Sequence, residues 1–255
     1  MTTLAAAADD LGHLVHQTPN AVLLPASAHD VAAAVRRAAG QGRRFAAQGR
    51  RHSVFGRAQA RDGVVADMGR LRTLHAVQRD RVVVDAGATW REVVAATLPH
   101  GRTPPVLTDY LDLSVGGTLA VGGVGSATSR LGVMSDHVLE LEAVTGQGEQ
   151  VICSPDRHPS LFDAVRAGLG QVGVITRATL RLVPAPRLVR RFLLFYPDLA
   201  TMLATSGCWS TSPGSRACRG RCWPPQPVAG RSGSTSQRRS PGTTGRRSAP
   251  RRPVR

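Results

Sequence analysis

Two stretches of the chain hold residue types that chemistry needs. One is Gln48-Gly49-Arg50-Arg51-His52-Ser53, a polar turn with one histidine between two strand-like runs. The other runs from Val106 to Gly125 and reads VLTDYLDLSVGGTLAVGGVG, with Asp109 and Asp112 ahead of Gly116, Gly117, Gly122, Gly123 and Gly125. Glycines lack a Cβ, so such a segment approaches a ligand closely and exposes several N–H groups to an anion or to the edge of a flat heterocycle. Glycines also serve tight turns and close packing. On local sequence alone, His52 reads as a solvated turn histidine and Asp109 as a turn-capping residue.

The elements around these stretches must position them. AVLL (21–24) reads as a strand, SAHDVAAAVRRAAG (27–40) as a helix with Ser27 as N-cap and Asp30 three residues on, and RFAA (44–47) as a second strand. That βαβ beginning empties into the His52 turn, where such units bind ligands. GVVAD (63–67) and RVVVDA (81–86) are β-branched strands joined by a polar connection, and Thr89 with Glu92 forms a capping box opening the helix WREVVAATL. HVLELEAV (137–144) and EQVIC (149–153) form a hairpin about Thr145-Gly146-Gln147-Gly148. A helix over 158–168, an alternating strand over 174–183 and a further strand over 191–196 follow. The pattern predicts an α+β fold of two subdomains.

At 255 residues the chain can bury a sizeable core. All 33 basic residues are Arg; with 17 acids the net charge is +16. Residues 205–255 hold 11 of those Arg and no acid, so the charge belongs mostly to the tail. Cys153, Cys208, Cys218 and Cys222 form no paired CxxC set, which argues against a zinc site or a disulfide framework. The N-terminus has no basic n-region and no run of about 18 apolar residues occurs, so a cytoplasmic protein without a membrane span is expected. Residues 205–255 are rich in Arg, Pro, Ser and Gly, without periodicity, and are expected to be disordered. An out-of-frame segment is the preferred reading, because acids vanish while Trp and Cys appear at one point; a basic arm that neutralises phosphates is the alternative.

The order QGRRHS-x-x-G, TDYL-x-L-x-VGGTL, VTGQGE and LFDAVRAGLGQVGVITRATLRLVPAP resembles the flavin domain of cytokinin dehydrogenases, within the vanillyl-alcohol-oxidase or PCMH type of FAD enzymes. The resemblance covers residues 18–204. It implies an FAD-binding domain in which His52 bonds the 8α-methyl of the flavin covalently, retaining the cofactor and raising its reduction potential. Gly49, Arg51, Ser53 and Arg57 then fall at cofactor-binding positions of the same loop. Asp109 resembles the active-site aspartate and also falls at a cofactor-binding position. Ser114, Gly116, Gly117, Ala120, Val124 and Ile175 fall where the family contacts the flavin, mostly through main chain.

The implied reaction is hydride transfer to FAD from the carbon beside a secondary amine, giving an imine that water hydrolyses to adenine and an aldehyde. The implied substrate is therefore a small molecule, an N6-substituted adenine, and no metal is called for. A carboxylate at Asp109 would take or hold the amine proton. The chain departs from the family pattern at Arg51, where a second glycine is usual, at Arg57, where glutamine is common, and at Ala120-Val121-Gly122-Gly123, in place of Ser-Asn-Ala-Gly. Arg51 would either crowd the pyrophosphate or pair with it. The family's substrate-covering domain is not recognisable after Thr205, so a truncated chain with weak or no turnover is expected. Two other functions fit parts of the sequence: an FAD-linked oxidase of a sugar or alcohol, and a non-catalytic basic protein binding nucleic acid through its tail.

Overall fold

The structure, a computed structural model, describes residues 3–188, 195–211 and 221–222. An N-terminal arm opens with one helical turn, α1 (Leu4–Ala7), capped by the Thr3 hydroxyl accepting the Ala6 N–H. β1 (Ala21–Leu23) leads to α2 (Ala28–Gly40), and the capping box between Ser27 and Asp30 is present as the sequence predicts. β2 (Phe45–Gln48) and β3 (Val64–Asp67) complete a parallel three-stranded sheet. Its order is β1-β3-β2, so β3 inserts between the two arms of the expected βαβ unit.

β4 (Leu74–Val77) and β5 (Arg81–Asp85) begin the second sheet. β4 lies in what the sequence reads as a polar connection; its cross-strand pairing with β5 makes it a strand. α3 (Trp90–Thr97) starts at the expected Thr89–Glu92 capping box and is followed by the two-residue β6 (Arg102–Thr103). α4 (Val115–Ala120) is a short helix within the glycine-rich stretch, which the sequence reads as a loop, and α5 (Thr128–Leu131) follows just beyond it.

β7 (Val138–Thr145) and β8 (Gln150–Cys153) form the predicted hairpin, α6 (Pro159–Val165) follows, and β9 (Gly173–Arg181) returns between β5 and β7. The sheet is antiparallel in the order β4-β5-β9-β7-β8. β10 (Val183–Pro184) pairs with β6, and β11 (Phe195–Tyr196) with β12 (Arg221–Cys222). α7 (Leu199–Thr211) runs across the compositional break at Thr205, so the segment directly after the break is helical, not irregular. Most of the expected strand over 191–196 and of the expected disordered tail lies outside the described residues.

Three apolar clusters tie these layers together. The largest fills the space behind the antiparallel sheet with Trp90, Val115, Leu119, Leu141, Phe162 and their neighbours. A second joins the two sheets: Val31, Ala32 and Val35 of α2 pack on Ala66 of β3 and on Val144 of β7. One face of α2 thus meets both sheets, and each such Val contributes about 1.5–3 kcal/mol relative to an exposed one. The third, around Ala7, Ala60 and Val65, seats the N-terminal arm on the parallel sheet.

Candidate functional site

The parallel strands deliver their C-terminal ends to the seam between the sheets. β2 ends at Gln48, whose buried side chain donates from Nε2 to the carbonyl oxygens of Ala58 (3.1 Å) and Ala7 (3.3 Å). Beyond it the chain bulges outward with Arg51 at φ 59° and Phe55 at φ 62°. This left-handed backbone costs a non-glycine residue about 1–3 kcal/mol. The glycine usual at position 51 in the resembling family has a physical reason here, because glycine adopts this φ without strain. His52 lies between the two strained residues and is exposed.

The second stretch is pinned to the sheet by main chain. Arg91 N–H donates to Leu111 O (2.8 Å) and Trp90 N–H to Leu113 O (3.1 Å), while Val115 and Gly116 donate to Ala88 O (2.8 Å) and Ala86 O (2.7 Å). A Cβ on Gly116 would stand 2.6 Å from the Ala86 Cβ, so this approach requires glycine. At the other end of α4, the Leu119 and Ala120 carbonyls accept the N–H groups of Ala167 (2.9 Å) and Leu169 (2.7 Å). Both ends of α4 are therefore satisfied from outside, which lets a Val-Gly-Gly sequence hold a helix against its propensity.

These two stretches meet. The rings of His52 and Tyr110 are tilted at 39° with centroids 4.8 Å apart, bringing the histidine beside the residue that follows Asp109. Behind them, a Cβ on Gly49 would overlap the Ser114 hydroxyl, and one on Gly117 would stand 2.9 Å from it. Gly125 lies directly on the Leu107 carbonyl, which sets Val124 near the start of the TDYL turn.

Among the residues singled out from sequence, His52, Gly49, Ser114 and Gly117 meet at this seam, and Asp109 directly precedes the tyrosine that touches His52. Ser53 is half-buried beside His52, and its carbonyl accepts the Leu11 N–H at 3.2 Å. Arg51 and Arg57 are exposed. Val124 is exposed, whereas the Ile175 side chain is part of the main core. The Ala120 carbonyl accepts the N–H of Leu169.

Asp112, read from sequence as solvated, is instead clamped by Arg91, with Nε–Oδ1 at 2.6 Å and Nη2–Oδ2 at 2.9 Å. The hydrogen bonds from Arg91 hold its carboxyl below the usual range against the cost of burial, and raise the guanidinium in return. Tyr110 is not among the residues the sequence marks, although it stands inside the TDYL motif; the N-terminal arm carries no periodicity or motif that marks it.

Residues 19–154 match the family model of an FAD binding domain. This chain belongs to that family. The matched span contains the His52 loop, the TDYL turn and α4. This FAD-binding domain is 46% identical over 200 residues to an uncharacterized oxidoreductase, ORF5 in the fasciation locus of Rhodococcoides fascians, covering 78% of this chain and 46% of that protein. It is 45% identical over 204 residues to cytokinin dehydrogenase 10 of Oryza sativa subsp. japonica, covering 76% and 37% of the two chains. With cytokinin dehydrogenase 3 of Arabidopsis thaliana the identity is 40% over 211 residues, covering 78% and 39%. The chain spans less than half the length of these curated relatives.

The residues of this FAD-binding domain fit the cofactor. Gly49 and Gly117 bring main chain up against Ser114, and the exposed His52 imidazole and Tyr110 ring stand together beside them, so main-chain N–H groups and a nucleophilic ring nitrogen are grouped where an anionic, flat cofactor could be held. Among the described residues no group of three or more His, Cys, Asp or Glu side chains could hold a metal ion, and no helix is long and apolar enough to cross a membrane.

Proposed function

We propose that this FAD-binding domain works as an oxidoreductase on CH–NH donors, resembling cytokinin dehydrogenases, with N6-substituted adenines as substrates. The observation that carries the reading is the His52–Tyr110 ring contact, which joins the His52 loop to the TDYL turn at one mouth. Bound FAD supplies a two-electron acceptor able to take a hydride from carbon.

The chain's own residues have separable tasks. His52, held at the loop apex, bonds the cofactor covalently. Gly49 and Ser53 offer main chain to the pyrophosphate, Arg51 and Arg57 supply positive charge, and Ser114, Gly116, Gly117, Ala120, Val124 and Ile175 line the remainder through their main chain. Asp109 accepts or holds the proton of the substrate's secondary amine, which makes the adjacent C–H a better hydride donor. Asp112 is disfavoured for that task because Arg91 bonds both of its oxygens and lowers its basicity. His52, Asp109 and Tyr110 are all exposed, so water reaches the site and turnover is expected to be low.

The test is the visible spectrum of purified protein before and after acid precipitation, beside His52→Ala, followed by an assay for adenine release from an N6-alkyl adenine with an artificial electron acceptor. Flavin that stays in the parent's precipitate and leaves the variant's supports the link. A folded protein that takes up no FAD sinks the reading. Flavin binding without adenine release removes the substrate and keeps the cofactor.

A further inference from the structure

The arm formed by residues 3–18 lies outside the family-matched span, yet it is fastened to the loop that holds His52. Asp10 is a buried carboxylate. One oxygen accepts the N–H of Leu14 (3.1 Å) within the arm, and the other accepts the N–H of Gly56 (3.3 Å) within the loop. Burial opposes its ionisation, but the N–H groups of Leu14, Gly56, Gly12 and Phe55 together outweigh that and hold its pKa below the ordinary carboxylate value.

Other bonds reinforce the fastening. Leu11 N–H donates to Ser53 O (3.2 Å), directly after His52, and Gln59 Nε2 donates to Val15 O (2.9 Å). Gln48 Nε2 reaches Ala7 O from the other side of the loop. Gly56, at φ 67°, sits under the arm so closely that a Cβ there would stand 2.8 Å from Val15 and 2.9 Å from Gln17.

We propose that Asp10 is a positioning residue for His52: through Gly56 and Phe55 it keeps the strained loop in the one conformation that presents the imidazole beside Tyr110. Positive φ at Arg51 and Phe55 persists only where surrounding structure over-determines it. The loop's own residues supply little of that, since Arg51, His52, Phe55 and Arg57 are exposed. The arm supplies the rest. This inference rests on the flavin-linking role of His52, and it places a requirement for that role in a segment before the matched domain.

The experiment compares parent, Asp10→Ala, Asp10→Asn and His52→Ala on three readouts: acid-stable flavin, reversible FAD binding, and trypsin cleavage at Arg50, Arg51 and Arg57. In Asp10→Ala, acid-stable flavin is expected to fall tenfold or more while reversible FAD binding persists, with new cleavage at the three loop arginines. Asp10→Asn keeps one accepting oxygen for Leu14 and turns a donor toward Gly56, so an intermediate loss is expected, and it serves if the alanine variant does not fold. Acid-stable flavin at the parental level in both Asp10 variants overturns the proposal. If the parent binds FAD only reversibly, the covalent role of His52 fails by itself, and loop cleavage then decides for Asp10: unchanged resistance in its variants overturns the positioning role.

Discussion

The main chain of Gly49 lies against the Ser114 side chain so tightly that any Cβ at position 49 would overlap the Ser114 hydroxyl and stand 3.1 Å from its Cβ. Gly49 closes the parallel-sheet half and Ser114 opens α4 in the other half, so this contact fixes how the two halves meet at the site. Gly49→Ala is expected to destabilise the fold by about 1–3 kcal/mol, the usual cost of overpacking, and to weaken FAD binding. Adding Ser114→Gly removes the overlap and is expected to recover most of the loss. Thermal unfolding and FAD titration of both singles and the double read the coupling; additive effects would show that the contact is unimportant.

The ring contact between His52 and Tyr110 leads to a second expectation. Aromatic pairs of this kind are worth about 0.5–1.5 kcal/mol. Tyr110→Phe preserves the ring and is expected to form acid-stable flavin at the parental rate. Tyr110→Ala frees the imidazole to rotate and is expected to slow that formation about two- to tenfold, the same energy expressed as a rate. Equal rates in all three proteins would separate Tyr110 from the histidine's positioning.

What sequence reveals here follows from the range of the interactions. Both capping boxes are legible because Ser27 with Asp30 and Thr89 with Glu92 sit three residues apart and act locally. The β7–β8 hairpin is legible for the same reason. The insertion of β3 between β1 and β2 is set by long-range pairing, as is the strand character of Leu74–Val77. α4 is hidden by its glycines, since its ends are satisfied by Ala86, Ala88, Ala167 and Leu169. His52 and Asp109 are visible through motif order, whereas Asp10 is not, because nothing local links it to Gly56.

The lowered pKa of Asp10 sets a pH window. Its ordinary value is 3.8 and the folded value lies below that, so its contribution to stability is fully present above 3.8 and is lost as pH falls through the folded value. The difference in unfolding midpoint between parent and Asp10→Asn is expected to stay constant from about pH 7 to pH 5 and to shrink in more acid solution. Circular dichroism melts across that range measure it. A difference that widens on acidification would contradict the hydrogen bonds seen at Leu14 and Gly56.

Asp109 and Asp112 are three residues apart and offer opposite outcomes. Asp112 is held by two hydrogen bonds from Arg91 at the surface, so Asp112→Asn is expected to lower the unfolding midpoint slightly, with the effect fading at high salt, and to leave turnover of a bound amine unchanged. Asp109 adjoins the tyrosine that touches His52 and is exposed at the mouth. Asp109→Asn keeps its shape and removes its capacity to take a proton, so FAD binding is expected to persist while turnover falls about 10²–10⁴-fold, the usual contribution of a positioned acid–base group. Flavin absorbance and adenine release, measured on both variants, distinguish the two carboxylates. If Asp112→Asn abolished turnover and Asp109→Asn did not, the proton-handling group would be the one paired with Arg91, and a substrate would have to displace that arginine to reach it.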